Sequence, residues 1–326
     1  MKKMKVLIAY DGSSHADRAL EDLARAGLPQ QAEAMVISVA DVWLPPPPKD
    51  NPLGMRVEEL DIIDLSKARA QAEESIEKAR MLAMQVYVRV RAMFPEWTVY
   101  AEAYGDSPAW AVIKKADEWA ADLIVVGSQG RSALGRMIPG SVSQKVLYEA
   151  RCSVRVGRAS PRGDDSPPRI IIGVDGSPGA EAAVSAVAER GWPSGTEARV
   201  LAVHSPQTLL AIGHFIQPVL MAARGRFDDK GALAQSIADL SAEELRAAGL
   251  LALAVAREGD PKRVLLDEAK KWQADCIFVG ATGLRRIKRF LLGSVSGAVA
   301  ARANCSVEVI RTPEALSAGT DIRDNL

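Results

Sequence analysis

Short, uninterrupted apolar runs alternate along this chain with longer amphipathic stretches, and the whole alternation occurs twice. Runs such as "DLIVV" and "RIIIGV" carry no polar residue at every second place. That suits parallel strands covered on both faces and joined by right-handed helical crossovers. The pattern predicts strands over 6–9, 35–40, 99–104, 123–127 and 154–157. Helices are expected over 13–26, 57–94 (whole or broken), 107–120 and 141–149. The second half repeats the strands at 170–174, 199–203, 250–256, 276–279 and 307–310. Two doubly wound α/β domains follow, a number that 326 residues also suggest at roughly 150 residues per domain.

The repeat extends beyond periodicity. "KVLIAYDGSSHADRALEDLA" answers "RIIIGVDGSPGAEAAVSAVA", and "YGDSPAWAVIKKADEWAADLIVVG" answers "EGDPKRVLLDEAKKWQADCIFVG". Asp11 and Asp175 lie 164 residues apart, whereas the later motifs lie 153 apart, so the first half carries an insertion. The proline-rich "LPPPPKDNPLG" at 44–54 is its expected place, since a run of four prolines excludes helix. The polar, proline-flanked "SPRGDDSPP" at 160–168 reads as the join, giving domains over 1–160 and 168–313.

Candidate chemistry gathers at the strand ends. Gly127 and Gly130 are followed, after nine residues, by Gly140-Ser141; Gly280, Gly283 and Gly293-Ser294 repeat the spacing. A glycine at a strand's carboxyl end admits a ligand close to the backbone, and the second glycine can supply a turn with positive φ. The glycine-serine pair opens a helix, whose bare N–H groups and dipole favour an anion. Ser141 or Ser143 can cap that helix or bond a phosphate oxygen. The alternative is an ordinary strand, loop and capped helix without a ligand. Arg131, Arg136, Arg285, Arg286, Lys288 and Arg289 fill the intervening stretches, either to face phosphates or as solvated surface. Asp11 and Asp175 follow the first strand of each half within "DGS". They can accept hydrogen bonds from a base or ribose, or simply form a turn that starts a helix.

Both halves resemble universal stress protein domains over about 5–158 and 169–311, and the chain is similar to tandem members of that family. The resemblance implies two Rossmann-like, adenine-nucleotide α-hydrolase-like domains, each with a five-stranded parallel sheet sandwiched by helices. It also implies ATP, with or without Mg2+, at the glycine motif. Carried over by position, Gly127, Gly130, Arg131, Ser132, Gly140, Ser141, Val142 and Ser143 would hold phosphates and ribose. In the second copy these are Gly280, Gly283, Gly293, Ser294, Val295 and Ser296. Asp11 and Asp175, with Val39 and Val203, would line the base and ribose end. The second copy departs from the family at Ala281 and Leu284, which implies weaker or different binding there.

Composition narrows the function. Forty-one basic residues balance forty-one acidic ones, which argues against a nucleic-acid partner. Three cysteines and three histidines show no metal-ligand spacing. Cys152, Cys276 and Cys305 read as core thiols, and His15 and His204 as structural. The first apolar run is too short for a signal peptide. The longest uncharged stretch, 208–223, is interrupted by Gly213, His214 and Pro218, so no membrane span is expected and the cytoplasm is the default. No P-loop, "HRD", "DFG" or "SGGxDS" occurs. The expectation is a nucleotide-responsive stress protein rather than an enzyme. A slow ATPase or autophosphorylating enzyme (Ser141 or Ser143 as acceptor) and a nucleotide-free scaffold are the alternatives. The halves are expected to pair through "SVRVG" and "SVEVI", and any homodimer through 208–223 or the proline-rich loop.

Overall fold

The computed structural model describes residues 3–42, 65–130, 140–163, 166–204, 230–283 and 292–312. The first half runs β1 (Met4–Ala9), α1 (Ser14–Asp22), β2 (Ala32–Ala40), α2 (Leu65–Met93), β3 (Thr98–Gly105), α3 (Pro108–Trp119), β4 (Leu123–Gly127), α4 (Ser141–Glu149) and β5 (Ser153–Gly157). The second continues with β6 (Arg169–Val174), α5 (Pro178–Ala188), β7 (Glu197–His204), α6 (Lys230–Ala247), β8 (Leu251–Glu258), α7 (Pro261–Trp272), β9 (Cys276–Gly280), α8 (Ser294–Arg302) and β10 (Ser306–Ile310).

Every expected strand is present, and the ends move by three residues at most. The first helix stops earlier than its apolar pattern suggested. It tightens into a 3-10 turn at Leu23–Arg25, ahead of Gly27 with φ of +63°. The long second helix is unbroken from Leu65; 57–64, 44–54 and 208–223 lie outside the described residues. The halves share even an uncommon detail. Helices α3 and α7 both end on a non-glycine residue in the left-handed region, Ala120 and Gln273.

The strands form one sheet in the order β3-β2-β1-β4-β5-β10-β9-β6-β7-β8. Each half is a parallel five-stranded unit. The two units meet where β5 and β10 pair antiparallel, with Arg155 opposite Glu308. On one face α3, α4, α7 and α8 cover a core that runs without a break across this seam, from Val112 and Val146 to Leu265 and Val299. On the other face α1 and α2 bury one core around Leu20 and Val86. Helices α5 and α6 bury another around Val184 and Ala238. Ile170, Ile171 and Ile172 are all buried, as strands covered on both sides require. Each such side chain contributes roughly 1.5–3 kcal/mol of burial.

Between the two latter cores the seam is ionic. Arg155 makes a bidentate pair with Asp22 of α1, at 2.6 and 3.0 Å, and reaches Glu308 at 2.9 Å. Glu308 also accepts from both terminal nitrogens of Arg190, which in turn donates to the Ala26 carbonyl at 2.8 Å. Arg25 and Asp275 form a second cross-seam pair at 3.2 Å. Gly27 lies under the Trp192 ring, which a Cβ would meet at 2.6 Å.

The three cysteines sit near this seam with burial raising each thiol, to about 12 for Cys152 and Cys305 and further for Cys276. Cys276 and Cys305 are buried and Cys152 is partly buried against the core, and all three are neutral thiols at physiological pH. Among the described residues no helix is long and apolar enough to cross a membrane.

Burial alone pushes the Glu308 carboxyl up, but Arg190 and Arg155 outweigh it and hold it below the usual carboxylate range. A carboxyl lowered on folding stabilises above its unfolded value, about 4.3, and that stability is lost as pH falls through the folded value. Glu308→Gln should therefore remove part of the acid dependence of unfolding. Glu308→Ala should cost about 3–5 kcal/mol, read as a fall in urea midpoint. An acid limb unchanged by Glu308→Gln would show that the pair adds no net stability.

Candidate functional site

In an open α/β sheet a ligand lies beyond the carboxyl ends of the strands, where the winding reverses. Here that point falls between β1 and β4 in one half and between β6 and β9 in the other. The chain leaves β1 through Asp11-Gly12-Ser13 and leaves β4 through Gly127-Ser128-Gln129-Gly130.

The first wall is a turn. Gly12 and Gly176 have φ of +78° and +76°, which explains the glycine in each "DGS". The Asp11 carboxylate accepts from the Ser13 amide at 3.0 Å, and Ser13 Oγ then accepts from the Ala16 amide at 3.1 Å, capping α1. Asp175 and Ser177 repeat this at 3.0 and 3.3 Å. The serine is thus the cap and the aspartate braces the turn. The other aspartate oxygen looks across at the second glycine. A Cβ on Gly130 would lie 3.1 Å from Asp11 Oδ2, and one on Gly283 would lie 2.6 Å from Asp175 Oδ2.

This proximity accounts for the second glycine. Gly130 and Gly283 do not have positive φ, so the left-handed turn expected at Gly130 is not formed, and a side chain there would instead press on the Asp11 carboxylate. The first glycine likewise answers to a neighbouring helix. A Cβ on Gly127 would meet the Ala16 amide nitrogen at 2.9 Å, and one on Gly280 would overlap the backbone of Gly179. The bare strand end packs against the first turn of α1 or α5.

The third glycine closes the motif. The Gly140 amide donates to the Ser128 carbonyl at 2.9 Å, and the Gly293 amide to the Ala281 carbonyl at 2.7 Å. Ser143 Oγ donates to the Gly127 carbonyl and Ser296 Oγ to the Gly280 carbonyl, both at 2.6 Å. These two serines are buried, 5% exposed; they tether helix to strand. Ser141 and Ser294 are exposed. Helices α4 and α8 start on glycine with no side-chain cap, unlike α1 and α5, which start on capping serines. Their first amides have no acceptor within the helix. The arrangement offers an anion a positive helix end beside a strand terminus free of side chains.

Asp11, Gly127, Gly130, Gly140, Ser141 and Ser143 therefore come together although spread over 133 residues. Val39 and Val203 occupy the penultimate positions of β2 and β7, paired with Tyr104 and Arg257. Val142 and Val295 pack partly buried on the shared core. Arg131, Ser132, Arg136, Leu284, Arg285, Arg286, Lys288 and Arg289 lie outside the described residues. His15 falls in the first turn of α1, and His204 ends β7.

Sequence reasoning missed a brace behind the first site. The Tyr10 hydroxyl donates to Asp17 at 2.7 Å and Arg89 meets the same oxygen at 2.6 Å, tying α2 to α1. The hydrogen bond from Arg89, then that from Tyr10, holds the Asp17 carboxyl below its usual range. No spacing signals a pair 72 residues apart.

The two sites are not equal. Where the first has Ser128 and Gln129 the second has Ala281 and Thr282. Ala281 is buried, and its amide is used by the Ile310 carbonyl at 2.8 Å.

The universal stress protein family model matches residues 3–158 and again 168–311. A universal stress protein of Mycobacterium tuberculosis is 26% identical over 316 residues, covering 95% of this chain and 98% of its own. One of Thermus aquaticus is 33% identical over 153 residues, 47% of this chain and 97% of its own. The crystal structure of a universal stress protein from Archaeoglobus fulgidus has a TM-score of 0.62 at 18% identity, covering 95% of this chain and 99% of that one. At that identity the likeness speaks for the fold. Matched twice along its length, the chain belongs to the universal stress protein family and carries two of the family's domains in tandem.

Proposed function

We propose that each half, over 1–160 and 168–313, binds an adenine nucleotide, ATP above all, at the rim between its first and fourth strands. The observation that carries this is the contrast between helix starts. Helices α1 and α5 satisfy their own first amides with serine, whereas α4 and α8 begin on Gly140 and Gly293 and leave theirs to another acceptor. The amides of Ser141, Val142 and Ser143, and of Ser294, Val295 and Ser296, are the donors assigned to phosphate. Gly127, Gly130, Gly280 and Gly283 keep the rim clear of side chains, and Ser143 and Ser296 hold it in place. Asp11 and Asp175, with Val39 and Val203, border the ribose and base. Arg131 and Ser132 complete the first site.

Among the described residues no group of three or more His, Cys, Asp or Glu is placed to hold a metal. Any Mg2+ would be carried chiefly by the nucleotide's phosphates, as that ion commonly is. The protein's work is binding: ATP favours one state of the rim and so biases the surface offered to a partner, provided its affinity for the two states differs. Strands β5 and β10 cover each other's edges, so a homodimer would form through another surface.

ATP at about 100 times its Kd should stabilise the chain by roughly 2.7 kcal/mol per site, seen as a rise in Tm. AMP, with fewer phosphates for the helix amides, should give a smaller rise at the same concentration. An ATP-independent Tm would leave the scaffold reading. Sustained release of labelled phosphate from ATP, abolished by Asp11→Ala, would instead establish a slow ATPase.

Ser141→Asp should move two quantities in opposite directions. A carboxylate in the first turn of α4 favours the helix by about 0.3–1 kcal/mol, so the nucleotide-free protein should melt no lower than before. The same charge repels phosphate, so the tighter of two ATP-binding steps should disappear in a calorimetric titration. Ser294→Asp should remove the weaker step. Retention of both steps in the double variant would refute the helix-start assignment.

A further inference from the structure

Two arginines that the nucleotide reading does not use occupy matching places at the seam, 153 residues apart. Arg158 follows β5, and its guanidinium donates to the carbonyls of Ala300, at 2.7 Å, and Cys305, at 3.1 Å. Arg311 follows β10, and donates to the carbonyls of Leu147 and of Cys152, the latter at 3.3 Å. Ala300 and Leu147 lie near the C-terminal ends of α8 and α4. Each arginine therefore crosses the seam to the helix of the other half. Their main chains are crossed as well. The Arg158 amide donates to Ser306 Oγ at 2.9 Å, and the Arg311 amide to Ser153 Oγ at 3.1 Å.

The last carbonyls of a helix lack partners within it and carry the negative end of its dipole. A guanidinium there supplies both hydrogen bonds and compensating charge. Burial is the largest influence on both groups and lowers them, Arg311 to about 10, and a guanidinium keeps its charge at neutral pH. Helices α4 and α8 are short, nine residues each, too short to be stable without tertiary support. They are also the helices that begin at the candidate sites without a side-chain cap. Along the face between them, a Cβ on Gly297 of α8 would lie 3.4 Å from the Tyr148 hydroxyl of α4.

We propose that Arg158 and Arg311 are crossed positioning residues: each holds, from the opposite half, the helix that presents amides to the other half's nucleotide. The assignment rests on the reading of α4 and α8 as phosphate-facing helices, and it makes each site depend on a side chain from the other domain. Arg311 serves the first site and Arg158 the second.

Hydrogen–deuterium exchange on the full chain tests this, with and without saturating ATP. Without nucleotide, Arg311→Met should speed exchange in α4 by about tenfold, in keeping with the loss of a helix-terminal cation, and leave α8 nearly unchanged. Arg158→Met should do the reverse. Arg311→Lys keeps the charge and a donor, and should shift α4 in the same direction by less; it also serves if the methionine variant folds poorly. With ATP, Arg311→Met should weaken the first site and spare the second. Loosening of a variant's own half, or of both helices alike, would overturn the assignment even where ATP protects normally. The crossed pattern in a chain that ATP does not protect would keep the arginine assignment and remove the nucleotide reading.

Discussion

Arg155 and Glu308 are the same position in the two repeats, and they carry opposite charges. The seam brings equivalent residues face to face, as an approximate two-fold relation must. Had the halves stayed identical here, two arginines or two glutamates would meet, fully buried. Like charges about 4 Å apart repel by about 4 kcal/mol even at an effective dielectric constant of 20, before any cost of desolvation. With unlike charges the same contact becomes attractive. Each strand charge is also matched from its own half, Arg155 by Asp22 and Glu308 by Arg190. The seam thus joins unlike partners, and with it come the single ten-stranded sheet, the core common to both halves and the covering of two strand edges that would otherwise invite pairing with other chains.

Most of the scaffold was legible because it is written locally. Apolar runs of four to six residues mark the buried strands, and "DGS" and "GSVS" mark helix starts that the structure places within a residue of their expected positions. What local pattern could not carry was distance. Asp22 meets Arg155 across 133 residues, and Arg155 meets Glu308 across 153; each alone reads as a charge on an amphipathic or strand segment. The glycine motif was recognised and its reasons partly misread. Gly130 suggested a left-handed turn, yet what a side chain there would press on is the Asp11 carboxylate, a residue far away in sequence. Ser143 suggested a phosphate ligand or acceptor, and the fold adds a tether that the motif did not signal, from its hydroxyl to the Gly127 carbonyl. A motif reports that a position is constrained; the neighbours that constrain it appear only once the chain is folded.

The same geometry explains why the halves could diverge unequally. The rim is fixed by main-chain bonds, Gly140 to Ser128 and Gly293 to Ala281, which tolerate a change of side chain. Ser128 can therefore become Ala281 without disturbing the closure. The glycines have less freedom, because backbone atoms of α1 or α5 fill the space beside the first of them. Half two goes further and places Gly179 where half one has His15, so strand end and helix approach more closely there. Substitution is thus permitted at the side chains along the rim and resisted at the backbone that forms it. A conserved skeleton with altered lining is the expected result.

Joining the halves also changes what a single residue can do. In a pair of identical subunits one substitution at the interface alters both sites together. In this chain Arg158 and Arg311 occupy equivalent places but contact different helices, α8 and α4. Each can vary without the other. The serines that hold their main chains, Ser306 and Ser153, begin the two strands that carry Glu308 and Arg155. The ionic contact at the centre and the crossed arginines at its flanks are therefore parts of one mechanical unit. A strand shift that relaxed the central pair would draw both arginines off their carbonyls at once. Fixing the central pair is what allows the two flanking contacts to be tuned separately.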